Sequence, residues 1–237
     1  MPVEGSVRDR RRAETVQEIK GAALEQLAES GAGSLSLRAV ARSVGMTVQS
    51  LYHYFDSRDA LLTALVADGH HALADAVQAA ADASRGRPPL TRRLAATTAF
   101  RSWATANRSA FLLIYGTPVP GFAPLPEGDI GPAALRLAAP FAEVVFDGWT
   151  PAQLAALPLL PGGESMETLH LPGIALPPGA LAYFIELRAR MHGLVVLELL
   201  GHLHPYNHHG GALFAAAMHR MSEETDALAR QESFASR

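Results

Sequence analysis

Residues 36–58 read SLRAVARSVGMTVQSLYHYFDSR, and this stretch decides the fold. Ser36 stands where a helix N-cap is expected, and the apolar residues after it recur at three- and four-residue steps. Gly45 ends this helix, because glycine readily adopts the positive φ of a tight turn. Thr47 then offers the N-cap of the next helix. The spacing predicts two short helices joined by Gly45-Met46-Thr47, which is a helix-turn-helix.

The outer side of the second helix carries a run of hydrogen-bonding side chains, namely Thr47, Gln49, Ser50, Tyr52 and His53. In a helix-turn-helix, the start of this helix faces base edges in the major groove of DNA. Glutamine pairs bidentately with adenine, and serine or threonine serves either base type. An outer face without apolar residues favours DNA binding. The alternative is a structural hairpin in which Tyr52 and Phe55 are core aromatics.

The rest of the chain predicts further helices and no sustained strand-like alternation, so the fold class is all-α with about nine helices. Pro140 is expected to kink or divide one of them. Proline-rich residues 117–126 and 152–178 are expected to be mostly irregular. The predicted helices are 7–29, 37–44, 48–55, 58–83, 90–106, 109–115, 132–146, 180–202 and 212–230. We expect a three-helix N-terminal domain (1–58) and a larger helical domain (59–237), with helix 58–83 connecting them.

Composition excludes several classes of protein. The chain has 237 residues, a net charge of −3 and no cysteine. It therefore has no disulfide framework, thiolate zinc site or cysteine nucleophile, and it suits a reducing cytosol. No apolar run reaches the roughly 20 residues of a membrane span, and no signal peptide opens the sequence. A cytoplasmic location is expected. The mild total charge conceals a local cluster of arginines at positions 8, 10, 11 and 12.

Residues 10–66 resemble the DNA-binding domain of the TetR family of transcriptional regulators. The resemblance rests on Gly45, on Leu51-Tyr52-His53-Tyr54-Phe55 and on Asp56-Ser57-Arg58, where the family usually has lysine at the last position. It implies a DNA-binding regulator, most often a repressor, that binds a palindromic operator as a homodimer. The DNA-binding residues that it implies are Arg10, Arg11, Arg38, Thr47, Val48, Gln49, Ser50, Tyr52, His53 and Arg58.

The C-terminal part resembles an effector domain of the same family, whose mark is Trp-His-Gly before an apolar helix. Here the run is Met191-His192-Gly193, so methionine replaces the expected tryptophan. The resemblance implies a dimer formed by the last two helices. The interface residues expected on these helices are Val195, Leu199, Phe214, Met218 and Met221. The alternative is that both helices pack in the core of the monomer.

Most aromatic residues lie in the C-terminal half, which suits a cavity for a small lipophilic effector. The expected effector-binding residues are Trp103, Phe111, Tyr115, Phe146, Trp149, Tyr183 and His192. Residues at this helical spacing also suit an ordinary core, which is the alternative for each of them. Glu198 is polar within an apolar helix and stands four residues before His202, so these two side chains could pair. The residues identify neither the effector nor the operator.

Enzymatic motifs are not apparent in the sequence. Gly163-Glu164-Ser165-Met166-Glu167 lacks the last glycine of a nucleophile elbow, and no strand precedes it. Histidines at 202, 204, 208, 209 and 219 suit zinc or nickel by chemistry, but the turn residues among them favour a solvated loop. We therefore expect no enzyme, no cofactor and no metal. The alternative function is an all-helical protein that binds or modifies a small molecule, with a structural N-terminal bundle.

Overall fold

The computed structural model describes residues 7–116, 119–122, 130–159, 173–203 and 210–235. Within these ranges the chain forms eleven α-helices and one 3-10 turn (Ala32–Ser34), and no residue lies in a β-strand. The predicted all-α class is confirmed. The helices are α1 (Val7–Ser30), α2 (Leu37–Ser43), α3 (Val48–Tyr52), α4 (Arg58–Ala83), α5 (Pro89–Ala106), α6 (Arg108–Tyr115), α7 (Ile130–Arg136), α8 (Ala138–Val145), α9 (Pro151–Ala156), α10 (Pro178–Leu199) and α11 (Gly210–Ala235).

The described residues of 1–69 and 107–131 form one compact unit. One face of α1 buries Ile19 and Ala23 in a core that includes Val40 of α2 and Leu51 of α3. This core fixes how the first three helices cross. α1 ends at Ser30 because Gly31 takes a φ of 78° and its N–H donates to the carbonyl of Leu27 at 3.0 Å.

The described residues of 70–106 and 132–237 form a second unit, in which α5 packs against α8, α10 and α11. Its core contains Phe100 and Phe141, whose rings meet edge to face with centroids 5.9 Å apart. Arg92 is also buried, and carboxylates from the region of α8 compensate its charge. Its guanidinium lies 2.6 Å from Glu143 and 2.9 Å from Asp147. A cationic side chain is therefore part of the packing between these helices.

Two features account for the helices beyond the nine predicted. The helix predicted over 132–146 is divided, as expected, and the break falls at Leu137. Pro140 lies in the first turn of α8, where its missing N–H breaks no helical hydrogen bond. The expectation of an irregular segment from Ala152 onward is wrong at its start, where α9 forms. Thr150 and Gln153 cap α9 reciprocally, and Thr-Pro-x-Gln is a recognisable signal for a helix start. Residues 123–129 and 160–172 lie outside the described residues.

The predicted boundary between the DNA-binding domain (1–58) and the larger helical domain (59–237) stays a prediction, because it divides the chain by function. Packing alone places residues 58–69 of α4 in the first unit and residues 70–83 in the second. It also places α6 in the first unit. Among the described helices, none combines the length and the apolarity needed to cross a membrane.

Candidate functional site

The turn between α2 and α3 is built as the sequence predicts. Gly45 takes a φ of 71°, and its N–H donates to the carbonyl of Arg42 at 3.2 Å. The Thr47 side chain caps α3 by accepting from the Ser50 N–H at 3.1 Å. Leu51 is fully buried in the core of the first unit. Capping and burial together fix the rotation of α3, so that the Gln49 and Tyr52 side chains face outward.

The residues predicted to bind DNA occupy α3, the N-terminal ends of α1 and α2, and the residues just after α3. Tyr52 is 42% exposed. Val48 is half-buried and packs against the core, and its predicted role in DNA binding stays a prediction. Ser50 and Arg58 are also half-buried. The exposed members of the predicted set are Arg10, Arg11, Arg38, Thr47, Gln49, Tyr52 and His53.

Two of the predicted DNA-binding hydroxyls already interact with each other. Thr47 Oγ1 and Ser50 Oγ lie 2.9 Å apart, and Thr47 Oγ1 also holds the cap of α3. The Gln49 side chain, by contrast, has no hydrogen-bond partner among the residues that the structure describes. Of the three polar side chains at the start of α3, Gln49 is therefore the one most available for a base edge.

Two arginines have structural roles that the sequence did not predict. Arg12 Nη2 donates to the carbonyl of His53 at 3.1 Å, and its guanidinium lies 5.0 Å from the centre of the Tyr54 ring. This contact ties the start of α1 to the end of the helix-turn-helix. Arg58 Nε donates to the carbonyl of Leu35 at 3.1 Å. Both contacts join residues distant in sequence, so no local pattern indicates them.

The second unit contains a small cavity of about 30 Å³ that is partly open to solvent. None of the seven predicted effector residues lines it. Phe111 and Tyr115 belong to the first unit, where their rings pack with centroids 5.1 Å apart. Tyr183 reaches the cavity wall indirectly, because its hydroxyl lies 2.9 Å from Thr225 Oγ1. The lining residues are Arg93, Thr97, Phe141, Val145, Phe184, Leu187, Arg188, Met191, Met218, Met221, Ser222 and Thr225.

The polar residues of α10 have partners other than those considered from the sequence. Glu198 binds Arg101 of α5 through two contacts of 2.8 and 2.5 Å, rather than His202. Gly210 suits this pair, since a Cβ there would lie 2.5 Å from a Glu198 carboxylate oxygen. Burial, and then the charge of Arg188, lowers the pKa of His192, which favours its neutral imidazole form.

The five residues predicted for the dimer interface are all buried within a single chain. Their burial favours the alternative, in which these side chains pack in the core of the monomer. The exposed large apolar side chains of this region are instead Ile185 and Leu197 on α10 and Leu200 immediately after it, with exposures of 36%, 41% and 40%. His204, His208 and His209 lie outside the described residues, and in the described part of the chain no three His, Asp or Glu residues cluster as metal ligands would.

Comparison with known proteins gives consistent matches over both parts of the chain. Residues 19–65 match the family model of bacterial regulatory proteins, tetR family, and residues 93–221 match the model of a tetracyclin repressor-like C-terminal domain. Over 123 residues the chain is 39% identical to the HTH-type transcriptional regulator Rv1816 of Mycobacterium tuberculosis and to Mb1846 of Mycobacterium bovis. These matches cover 52% of this chain and 52% of each relative, so the chain spans about half the length of the curated relatives it matches.

Solved structures match over more of the chain. The crystal structure of a regulatory protein, SCO4313, has a TM-score of 0.75 and 31% identity, and the match covers 91% of this chain and 98% of that one. A tetR family transcription regulator from Shewanella sp. PV-4 has a TM-score of 0.55 and 20% identity, with coverage of 87% and 95%. The second likeness shows the fold alone.

Proposed function

Because the chain belongs to the TetR family of bacterial regulatory proteins, we propose that it represses transcription by binding a palindromic operator as a homodimer, and that a small lipophilic effector releases it. The observation that carries the proposal is the polar outer face of α3. Gln49, Tyr52 and His53 are exposed there, while Leu51 on the opposite side is fully buried. A short helix held by its core and cap, with polar groups outward, suits the major groove.

Two kinds of contact contribute to the proposed DNA binding. Gln49 reads a base edge, for which adenine is the matching partner. The exposed arginines Arg10, Arg11 and Arg38 bind phosphates, which set affinity and register without reading sequence. Arg58 is half-buried and already bound to the backbone of Leu35, so it contributes less than these three.

Binding to a palindromic operator requires a homodimer, because one short helix contacts only one half-site. Two copies place two recognition helices about 34–36 Å apart, one turn of DNA. The outward face of α10 suits this contact, since Ile185, Ala189 and Leu197 are exposed at helical spacing. Gly193 lies on the same face, and apart from the adjacent helix backbone no described atom lies within 4 Å of a Cβ placed there. A second helix can therefore approach closely.

Release of DNA follows from linkage. An effector that binds one conformation of the dimer more tightly than the other shifts the population toward that conformation. If the favoured conformation has the wrong spacing between recognition helices, operator affinity falls. We assign the connecting role to α4, whose residues belong to both units. The mechanism acts in the cytoplasm and uses no cofactor or catalytic step.

Titration of the protein against duplex DNA from upstream of its own gene tests the DNA-binding part. Gln49→Ala is expected to weaken specific binding by at least tenfold, since the dimer loses two bidentate base contacts of about 1–3 kcal/mol each. Arg38→Ala is expected to reduce the slope of log affinity against log salt by about 1.8, because the dimer loses two phosphate contacts of about 0.9 each. The matched control is Arg220→Ala, an exposed arginine of α11. If both test variants kept the DNA affinity and the salt dependence of the original chain, DNA binding by α2 and α3 would be excluded.

Light scattering after size exclusion tests the dimer. In Gly193→Arg the added Cβ meets no described atom within 4 Å apart from the adjacent backbone of α10, and the long side chain that follows it is expected to block a second helix. We expect this variant to be monomeric. Gly21→Arg is the control, since Gly21 of α1 is also open to that distance and is far in sequence from α10. A dimer that persists in the Gly193 variant would rule out this face.

A further inference from the structure

The cavity of the second unit has an apolar wall with two cationic side chains. Phe141, Phe184 and Leu187 supply bulky apolar surface, and three methionines complete it. The methionines are Met191, Met218 and Met221. Methionine side chains are unbranched and adaptable, so this wall can adjust to a bound molecule. A ligand larger than the roughly 30 Å³ of free space enters by moving these side chains, and its apolar part then packs against them.

The two cationic side chains differ in how their charge is compensated. Arg93 is 4% exposed and donates to the carboxylate of Asp226 and to the carbonyls of Val145 and Ser222. Its Nε is buried and has no acceptor among the described residues. Arg188 is half-buried, and it makes neither a hydrogen bond nor an ion pair with any residue that the structure describes. Among the described residues Arg188 thus has no counter-ion, and it brings its positive charge to a largely apolar wall.

The neighbours of Arg188 do not neutralise it. Burial, and then the charge of Arg188, lowers the pKa of His70 to about 4 and the pKa of His192 below its ordinary value. Both shifts favour the neutral imidazole. A half-buried cation without a counter-ion is costly, and an anion placed beside it recovers that cost.

We propose that the cavity binds an apolar carboxylic acid, with its hydrocarbon part against the methionines and phenylalanines and its carboxylate on Arg188. A planar guanidinium forms two parallel hydrogen bonds with a carboxylate, which suits a ligand with a single anionic group. This proposal depends on the proposed function in one respect, which is that the bound acid is the effector that releases DNA. The binding itself follows from the cavity and its charge.

Isothermal titration calorimetry of the full chain with octanoate and with 1-octanol tests the assignment. The two probes share a hydrocarbon chain and differ in the charge of the head group. We expect octanoate to bind at least tenfold more tightly, because a hydrogen bond to a charged group is worth about one to two factors of ten. Arg188→Gln should remove this preference by weakening octanoate alone, and Arg188→Lys should keep part of it.

Arg190→Gln is the matched control, because Arg190 lies on the same helix, does not line this cavity and pairs with Glu224 at 2.8 Å. It should leave the preference unchanged. Circular dichroism checks that each variant keeps its helices. Equal binding of both probes, binding of neither, or a preference that survives Arg188→Gln would overturn the assignment.

A DNA titration with and without octanoate separates this inference from the proposed function. If octanoate binds through Arg188 but leaves DNA affinity unchanged, the cavity assignment holds and the effector role in DNA release is wrong. If the protein binds no DNA at all, the regulatory proposal fails while the calorimetric result still decides the cavity.

Discussion

Replacing Gly45 by alanine isolates the conformational requirement of the helix-turn-helix turn. Gly45 has a φ of 71°, and among the described residues no atom outside its two chain neighbours lies within 4 Å of a Cβ built on it. The added methyl group therefore meets no steric obstacle from the rest of the fold. Any loss of stability comes from the backbone itself, because residues with a Cβ disfavour the left-handed region.

The expected magnitude follows from two opposing effects. The left-handed conformation costs alanine about 1–2 kcal/mol. Restricting the unfolded chain recovers about 0.4–1 kcal/mol. The net loss in the free energy of unfolding is therefore about 1 kcal/mol. Gly21→Ala in α1 is the matched control, because Gly21 is equally open but lies in a helix, where alanine is favoured over glycine by about 0.8–1 kcal/mol.

The two variants should therefore differ by about 2 kcal/mol, with opposite signs relative to the original chain. Hydrogen–deuterium exchange of α1 peptides across a urea series measures both, since Gly21 and Gly45 belong to the same compact unit. Gly45→Asn should lie between the original and the alanine variant, because asparagine tolerates the left-handed region better. Equal shifts in sign and size for the two alanine variants would refute the reasoning.

Three further predictions concern stability and are read from urea unfolding. Thr47→Ala should cost about 1 kcal/mol by removing the α3 cap, whereas Thr47→Ser, which keeps the hydroxyl, should cost less. Glu198→Gln should cost about 2 kcal/mol, because it leaves the largely buried Arg101 guanidinium without its carboxylate, and a loss under 0.5 kcal/mol would contradict this. The pKa of His70 is lowered to about 4, so the folded state disfavours the protonated imidazole. The free energy of unfolding should therefore fall by about 1–2 kcal/mol between pH 7.5 and pH 5. His70→Asn should make the free energy of unfolding less dependent on pH in this range.

Local sequence determined the helices and the turn of the first unit. Ser36, Gly45 and Thr47 act on the residues next to them, and capping and positive φ are effects of short range. The predicted end of α1 agrees with the structure to within one residue, and so does the predicted course of α4. Even the missed helix α9 has a local signal in Thr150 and Gln153.

Only the tertiary structure decided which charges pair and which side chains face a cavity. Glu198 pairs with Arg101, which is 97 residues away in the sequence, although His202 is only four residues away. Apolar spacing on α10 and α11 marks a buried face, but it does not tell whether the monomer core or a second chain buries it. The structure places Val195 and Met218 in the core of the single chain, and it leaves Leu197 outside.

The physical reason is the range over which each effect acts. A cap or a turn depends on residues within four positions, so the sequence alone determines it. Ion pairs, burial and cavities depend on helices that meet after folding, and their partners are chosen by packing and by the cost of burying a charge. The sequence therefore determined the polar helix α3 and the family. The cavity, and the position of Arg188 in its lining without a counter-ion among the described residues, follow only from the packing of α5, α8, α10 and α11.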